Sequence, residues 1–158
     1  MNFEAFIQHR KNERERLFSN GLNNGDPHTN GEYTLLETIL SSGFDSFLDI
    51  GANVGAFTNK ALEISPKVNV TCYEPNPQHY EKLSALAQSG DNIHFHAIAL
   101  SDKSGEATLH VHDKHHETSS LARRKLMTTT FQKNMSNIQV MVEKLDDAPP
   151  RKRSVYKN

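Results

Sequence analysis

FLDIGANVGAF, residues 47–57, joins a short apolar run to an acidic residue and two glycines. The run SFLDI (46–50) is nearly continuous in apolar character, which is typical of a strand covered on both faces in a parallel sheet. The residues that follow, GANVGAFTNKALEIS, fit a turn that enters a helix, and Pro66 ends that helix. The stretch therefore predicts a strand, a tight turn and a helix in direct succession.

The same succession recurs further along the chain. VNVTCY (68–73) predicts a second strand, and EPNPQHYEKLSALAQSG predicts a turn and a helix with Asn76 as its cap and Pro77 in its first turn. NIHFHAI (92–98) predicts a third strand. Alternating strands and helices indicate a doubly wound α/β sheet, in which right-handed crossovers place the first strand innermost.

The flanking segments have other patterns. Residues 2–18 predict a charged amphipathic helix, and YTLLETILSSG predicts a helix that Gly43 ends, with Leu35, Leu36, Ile39 and Leu40 on one face. GEATLHVH and NIQVMVEKL alternate apolar with polar residues and predict half-exposed strands. We therefore expect an N-terminal helix and Gly/Asn-rich loop over 1–31, a folded domain over 32–147 and a basic tail over 148–158.

Composition limits the classes of function. The chain has 158 residues, a formal net charge of −1 and one cysteine, Cys72, in an apolar run. No global positive field favours nucleic acid, no apolar run approaches a membrane span, and a buried, inert thiol is expected. These features predict a cytoplasmic, soluble protein. HVHDKHH (110–116) resembles a metal-binding run, but its lysine and aspartate are out of order, and a polar strand face with no metal is expected.

The loop after the first strand carries the functional signal. Gly51 permits a sharp turn and a close ligand approach, and Gly55 lets the following helix pack closely. Asp49 ends the first strand, and Glu74 ends the second beside it. The two oxygens of a carboxylate at the second position match the two vicinal hydroxyls of a ribose.

The spacing of the glycines bears on which ligand binds. A dinucleotide site has the spacing G-x-G-x-x-G, which binds a pyrophosphate. Here three residues separate Gly51 from Gly55, Asn53 occupies the position of the middle glycine, and Asp49 precedes Gly51 by two residues. The acidic residue would repel a pyrophosphate but suits the ammonium group of an amino acid. S-adenosylmethionine combines such an ammonium with a ribose and an adenine.

In order along the chain, FLDIGANVGAFT, CYEPNP, NIHFHAIALSDKSGEATLHVH, SSL and VMVEKLDD resemble the N-terminal two thirds of an FkbM-type S-adenosylmethionine-dependent methyltransferase. The resemblance covers roughly residues 32–147. It implies the class I methyltransferase (Rossmann-like) fold, S-adenosylmethionine as cofactor and O-methylation of hydroxyls on sugars or natural products. The cofactor-binding residues that it implies are Asp49, Gly51, Ala52, Asn53, Gly55, Glu74, Pro75, Ala97 and Ile98.

The resemblance ends after LDD (145–147), where the family continues with a strand ending in Asp-x-Glu-Gly. We therefore expect a sheet truncated before its fourth core strand, with Phe47, Leu48 and Ile50 on an unpaired edge and with weak cofactor binding. The catalytic residues are not assigned. Two alternatives remain: a non-catalytic module that pairs through this edge, with itself or with a complementing C-terminal fragment, and a nicotinamide-linked oxidoreductase.

Overall fold

The structure is a computed structural model that describes residues 25–112, 119–121 and 135–148, together with Glu4, Ile7, Gln8 and Asn12. These last four residues are helical, as the prediction for 2–18 requires of them, and the rest of that helix lies outside the described residues. So does the tail after 148. The chain divides into two compact units, Met1–Thr38 and Ile39–Asn158. The predicted domain limits at 31/32 and 147/148 stay predictions.

Helix α1 spans Glu32–Ser41 and confirms the predicted helix. Asn30 Oδ1 accepts a hydrogen bond from the backbone N–H of Glu32 at 2.9 Å, so a side chain satisfies one of the donors that a helix start leaves open. Gly43 follows its end with φ 95°, which a glycine adopts without strain. Of the predicted apolar face, Leu36 and Leu40 are buried, whereas Leu35 and Ile39 are exposed.

The first of two sheets is parallel and has the order β1-β2-β3. Its elements in chain order are β1 (Ser46–Ile50), α2 (Ala56–Ile64), β2 (Asn69–Tyr73), a short 3₁₀ helix (Pro77–His79), α3 (Tyr80–Gln88) and β3 (Ile93–His96). The predicted alternation of strands and helices is confirmed. The third strand is shorter than predicted, because the chain leaves the sheet after His96 and starts a new strand at Ala99.

Helices α2 and α3 cover one face of this sheet. Asp49 and Cys72 are cross-strand partners on that face, and both contact Thr58 of α2. On the other face, Leu48 is 43% exposed and Ile50 is 56% exposed. The prediction that β1 is buried on both faces is therefore wrong for the described part of the chain, since both connecting helices lie against the Asp49 face.

The second sheet is mixed and has the order β4-β6-β5. Strand β4 (Ala99–Ser101) runs parallel to β6 (Met135–Lys144), and β5 (Gly105–His112) runs antiparallel to β6. The alternation predicted for β5 and β6 is confirmed, because the inward positions form one buried apolar cluster. Its members are Ala99, Leu109, Val111, Val140 and Val142.

Candidate functional site

The loop that follows β1 has an unusual backbone. Gly51, Asn53 and Gly55 all have positive φ, at 79°, 52° and 80°. Asparagine tolerates this region better than most residues with a side chain. A Cβ on Gly55 would lie 3.0 Å from Leu86 Cδ2, so this glycine leaves room for helix α3. The prediction that Gly55 lets the helix directly after it pack closely stays a prediction. The backbone N–H of Gly51 donates to the carbonyl of Tyr73 at 2.8 Å and ties the loop to the end of β2.

Glu74, the first residue after β2, is 5% exposed and joins three segments. Its Oε2 accepts the backbone N–H of Asn53 at 2.8 Å, and its Oε1 accepts that of Asn76 at 2.8 Å. Its own N–H donates to the carbonyl of His96 at 3.1 Å. A carboxylate oxygen has two lone pairs, so each oxygen has one acceptor position beyond these bonds.

Asn76 also caps the 3₁₀ helix, as its sequence position predicted. Its Oδ1 accepts the backbone N–H of Gln78 at 3.2 Å, with Pro77 as the first residue of the helix. Asn76 is fully buried, at 1% exposed. Glu74 and Asn76 thus fix the turn that leads from β2 into the following helices.

Asp49 is buried as well, but its carboxylate holds helix α2. Thr58 donates its hydroxyl to Asp49 Oδ2 at 2.6 Å and also donates its backbone N–H to this carboxylate. Thr58 lies in the first turn of α2, where backbone N–H groups have no partner within the helix. Burial raises the pKa of Asp49, and the two bonds from Thr58 partly oppose that rise. Its predicted role, binding a ligand ammonium, stays a prediction.

Cys72 completes this buried group. Its Sγ lies 3.0 Å from Thr58 Oγ1. Burial raises the pKa of the Cys72 thiol to about 11, so the group is neutral near pH 7. The prediction of a buried thiol is confirmed.

A cavity of about 210 Å³ opens at the carboxyl ends of β1 and β2. This is where ligands bind in open α/β sheets. Of the predicted site residues, the cavity is lined by Gly51, Asn53, Glu74, Pro75 and Ile98. Asp49, Ala52, Gly55 and Ala97 are not part of the lining. The second sheet supplies the other wall, which sequence reasoning did not assign to the site and which includes Leu109, Ser119, Ser120 and Leu121.

Tyr80, at the start of α3, holds two edges of the site together. Its hydroxyl lies 2.9 Å from the carbonyl oxygen of Pro75 and 3.4 Å from that of Ala97. Its ring packs edge-on against Phe95 with centroids 5.5 Å apart. The Tyr80 hydroxyl thus lies within hydrogen-bond distance of carbonyl groups in the segments after both β2 and β3. No sequence motif indicated this role.

The histidines do not form a metal site in the part of the chain that the structure describes. His110 Nδ1 pairs with Asn137 Oδ1 at 2.7 Å across the strands, while His115 and His116 lie outside the described residues. His94 and His96 alternate along β3 as an exposed strand face would, but both are half-buried, and His96 stacks on Tyr73 with centroids 5.4 Å apart. Burial, and to a lesser degree His94, lowers the pKa of His96.

The described elements form a mixed α/β fold with a parallel sheet, which is compatible with a Rossmann-like fold. No family model matches the chain, so FkbM membership stays a prediction. One similar protein is the 2-O-methyltransferase NoeI of Sinorhizobium fredii (strain NBRC 101917 / NGR234), which is 30% identical over 73 residues. The matched region is 46% of this chain and spans 30% of the length of that protein. Within the described residues, no helix has the length and apolar character needed to cross a bilayer.

Proposed function

We propose that the chain is an S-adenosylmethionine-binding methyltransferase domain that O-methylates a hydroxyl on a sugar or natural product. The observation that carries the proposal is the buried Glu74 carboxylate, which borders the cavity beside the glycine loop at the end of β2. A carboxylate at this position suits the vicinal hydroxyls of a ribose. The similarity to a protein named as a 2-O-methyltransferase supports methyl transfer over other reactions of this fold.

The residues that line the cavity fit part of this cofactor. Glu74 offers one acceptor position on each oxygen, and Pro75 and Ile98 offer apolar surface for a base. The volume of about 210 Å³ is below the roughly 300–1,000 Å³ of complete small-molecule sites, so we assign only the nucleoside end of the cofactor to the described residues. When bound, the cofactor would supply the methyl group, while these residues bind and orient it.

Binding of S-adenosylhomocysteine, measured by titration calorimetry, tests the proposal. We expect the wild-type chain to bind it and NAD not to displace it. Glu74→Gln replaces one acceptor oxygen by a donor, so the affinity falls about 10- to 100-fold. The matched control is Glu81→Gln, since Glu81 is exposed on α3 and does not line the cavity.

Two results would contradict the proposal. Displacement of S-adenosylhomocysteine by NAD would favour a nicotinamide-linked oxidoreductase. If S-adenosylhomocysteine does not bind at all, S-adenosylmethionine is excluded as the cofactor. Unfolding midpoints of both variants, measured in parallel, separate a lost contact from a lost fold. Transfer of a labelled methyl group to a panel of hydroxylated sugars then tests the acceptor class.

A second candidate function, a non-catalytic module that binds a partner through β1, has its own supporting observation. Among the described strands, β1 pairs with β2 alone, and the side chains of Leu48 and Ile50 are exposed next to its open edge. Such an edge accepts a further strand. Sedimentation equilibrium tests this candidate, because Leu48→Lys should lower self-association. Leu48 is exposed and, unlike Ile50, does not line the cavity. A chain that stays monomeric, and that binds no complementing C-terminal fragment, would exclude it.

A further inference from the structure

The segment Ser119–Leu121 has a defined position beside the second sheet. The backbone N–H of His110 donates to the carbonyl of Ser120 at 2.9 Å, and the N–H of Ser120 donates to the carbonyl of His110 at 3.0 Å. This reciprocal pair is antiparallel and lies on the edge of β5 opposite to β6. The segment therefore extends the second sheet by one strand position.

The register of this pair shows which side chains of the segment share the face of Leu109, a residue that lines the cavity. Directly opposed residues in an antiparallel pair project to the same face, so Ser120 shares the face of His110. Ser119 and Leu121 consequently project to the face of Leu109. Leu121 packs against the buried cluster to which Leu109 belongs, which agrees with this assignment. All three residues of the segment line the cavity.

The described lining of the cavity combines one charged residue, Glu74, with several apolar ones. The larger apolar side chains are those of Ile50, Pro75, Ile98, Leu100, Leu109 and Leu121. A nucleoside combines the same two characters, because a flat, largely apolar base adjoins the sugar hydroxyls. If the ribose lies at Glu74, the base packs on the apolar part of this lining, to which Pro75 and Ile98 contribute and to which the second sheet adds Leu109 and Leu121.

We infer that Ser119–Leu121 is the base-binding wall of the nucleoside subsite. Leu121 packs against the face of the purine, and the hydroxyl of Ser119 hydrogen-bonds its polar edge. This inference rests on the proposed function, since it assigns the base of the same cofactor whose ribose is assigned to Glu74. It adds a specificity determinant from a segment outside the glycine loop and the strand ends.

Titration calorimetry with S-adenosylhomocysteine and with adenosine tests the inference. Leu121→Ala should weaken the binding of both probes about tenfold, because both contain the base and lose the same apolar contact. The matched control is Ile138→Ala. Ile138 packs against the same buried cluster but does not line the cavity, so its truncation should change either affinity less than about twofold.

A second variant keeps the test decisive if Leu121→Ala does not fold. Ser119→Phe removes no side chain from the buried cluster and fills the cavity, so binding of both probes should be abolished. Ser119→Ala should weaken adenosine binding about threefold through loss of one hydrogen bond.

Three results would overturn the inference. If wild-type protein binds neither probe, the proposed function and this inference fail together. If wild-type protein binds both probes but Ser119→Phe binds them equally well, or Leu121→Ala is no weaker than Ile138→Ala, only the inference fails. A rise in KM for the methyl acceptor with unchanged affinity for both probes would assign the segment to the acceptor instead of the base.

Discussion

A buried acid lies at the end of each of the strands β1 and β2, and the two acids, Asp49 and Glu74, have different hydrogen-bond partners. Asp49 is 7% exposed and Glu74 is 5% exposed, so burial alone does not distinguish them. Asp49 lies within β1, opposite Cys72, and the pleat turns it toward the helix-covered face. Glu74 follows the last residue of β2 and lies at the cavity. The position relative to the strand therefore distinguishes the two acids. Asp49, within its strand, stabilises a helix, whereas Glu74, directly after its strand, borders the cavity.

Replacing Asp49 should have the largest effect on folding. Asp49→Ala leaves the hydroxyl and N–H of Thr58 without their shared acceptor in a buried place, so the free energy of unfolding should fall by about 2–3 kcal/mol. Urea denaturation measures this change. The control is Asp91→Ala, because Asp91 is exposed in a turn and its loss should cost less than about 0.5 kcal/mol.

The same variant sharpens the comparison between the two acids. At equal folded fraction, Asp49→Ala should weaken S-adenosylhomocysteine binding less than Glu74→Gln does, because the Asp49 carboxylate is directed to Thr58. An equal or greater loss would show that Asp49 contacts the ligand, as the resemblance implies.

The pH dependence of stability should show the raised pKa of Asp49. Because this pKa lies above its ordinary value of 3.8, the folded state binds the proton more tightly than the unfolded state does. The associated stability is complete below that value and is lost as pH rises through the raised pKa. The unfolding free energy of wild type relative to Asp49→Asn should therefore fall with increasing pH, by at most about 1.4 kcal/mol per pH unit. Urea denaturation over a pH series measures it, and a flat or rising difference would contradict the assignment.

The smallest effect is expected at Tyr80, which braces the Glu74 side of the comparison. Tyr80→Phe removes the hydroxyl that contacts the carbonyls of Pro75 and Ala97 and should cost about 1 kcal/mol of unfolding free energy. Amide hydrogen exchange should accelerate at Asn76 more than in β1, because the loosened segment adjoins Pro75. Uniform acceleration throughout the sheet would instead indicate a global loss of stability.

Local sequence patterns predicted the described helices and all the described strands except β4, and they placed one acid of the site. Apolar runs bounded by glycine and proline predicted the strands and helices, and the placement of Glu74 after a strand predicted its position at the sheet edge. The cap at Asn76 was predictable because capping depends on residues only two apart.

Features that depend on tertiary neighbours were not predictable in this way. The exposure of Leu48 and Ile50 depends on which face the helices cover, which an apolar run does not encode. The bond between Asp49 and Thr58 needs the angle at which α2 leaves the loop. The contribution of Ser119–Leu121 to the cavity follows from a pairing with β5, and a three-residue segment has too little pattern to reveal that pairing.

The buried Cys72 has a practical consequence for work on this chain. Its side chain is 1% exposed and its thiol pKa is about 11, so a maleimide at neutral pH meets neither an accessible sulfur nor an appreciable amount of thiolate. Alkylation of Cys72 therefore reports opening of the parallel sheet that contains β2. A fluorophore attached through a cysteine introduced at the surface can report on ligand binding while the native residue is left in place.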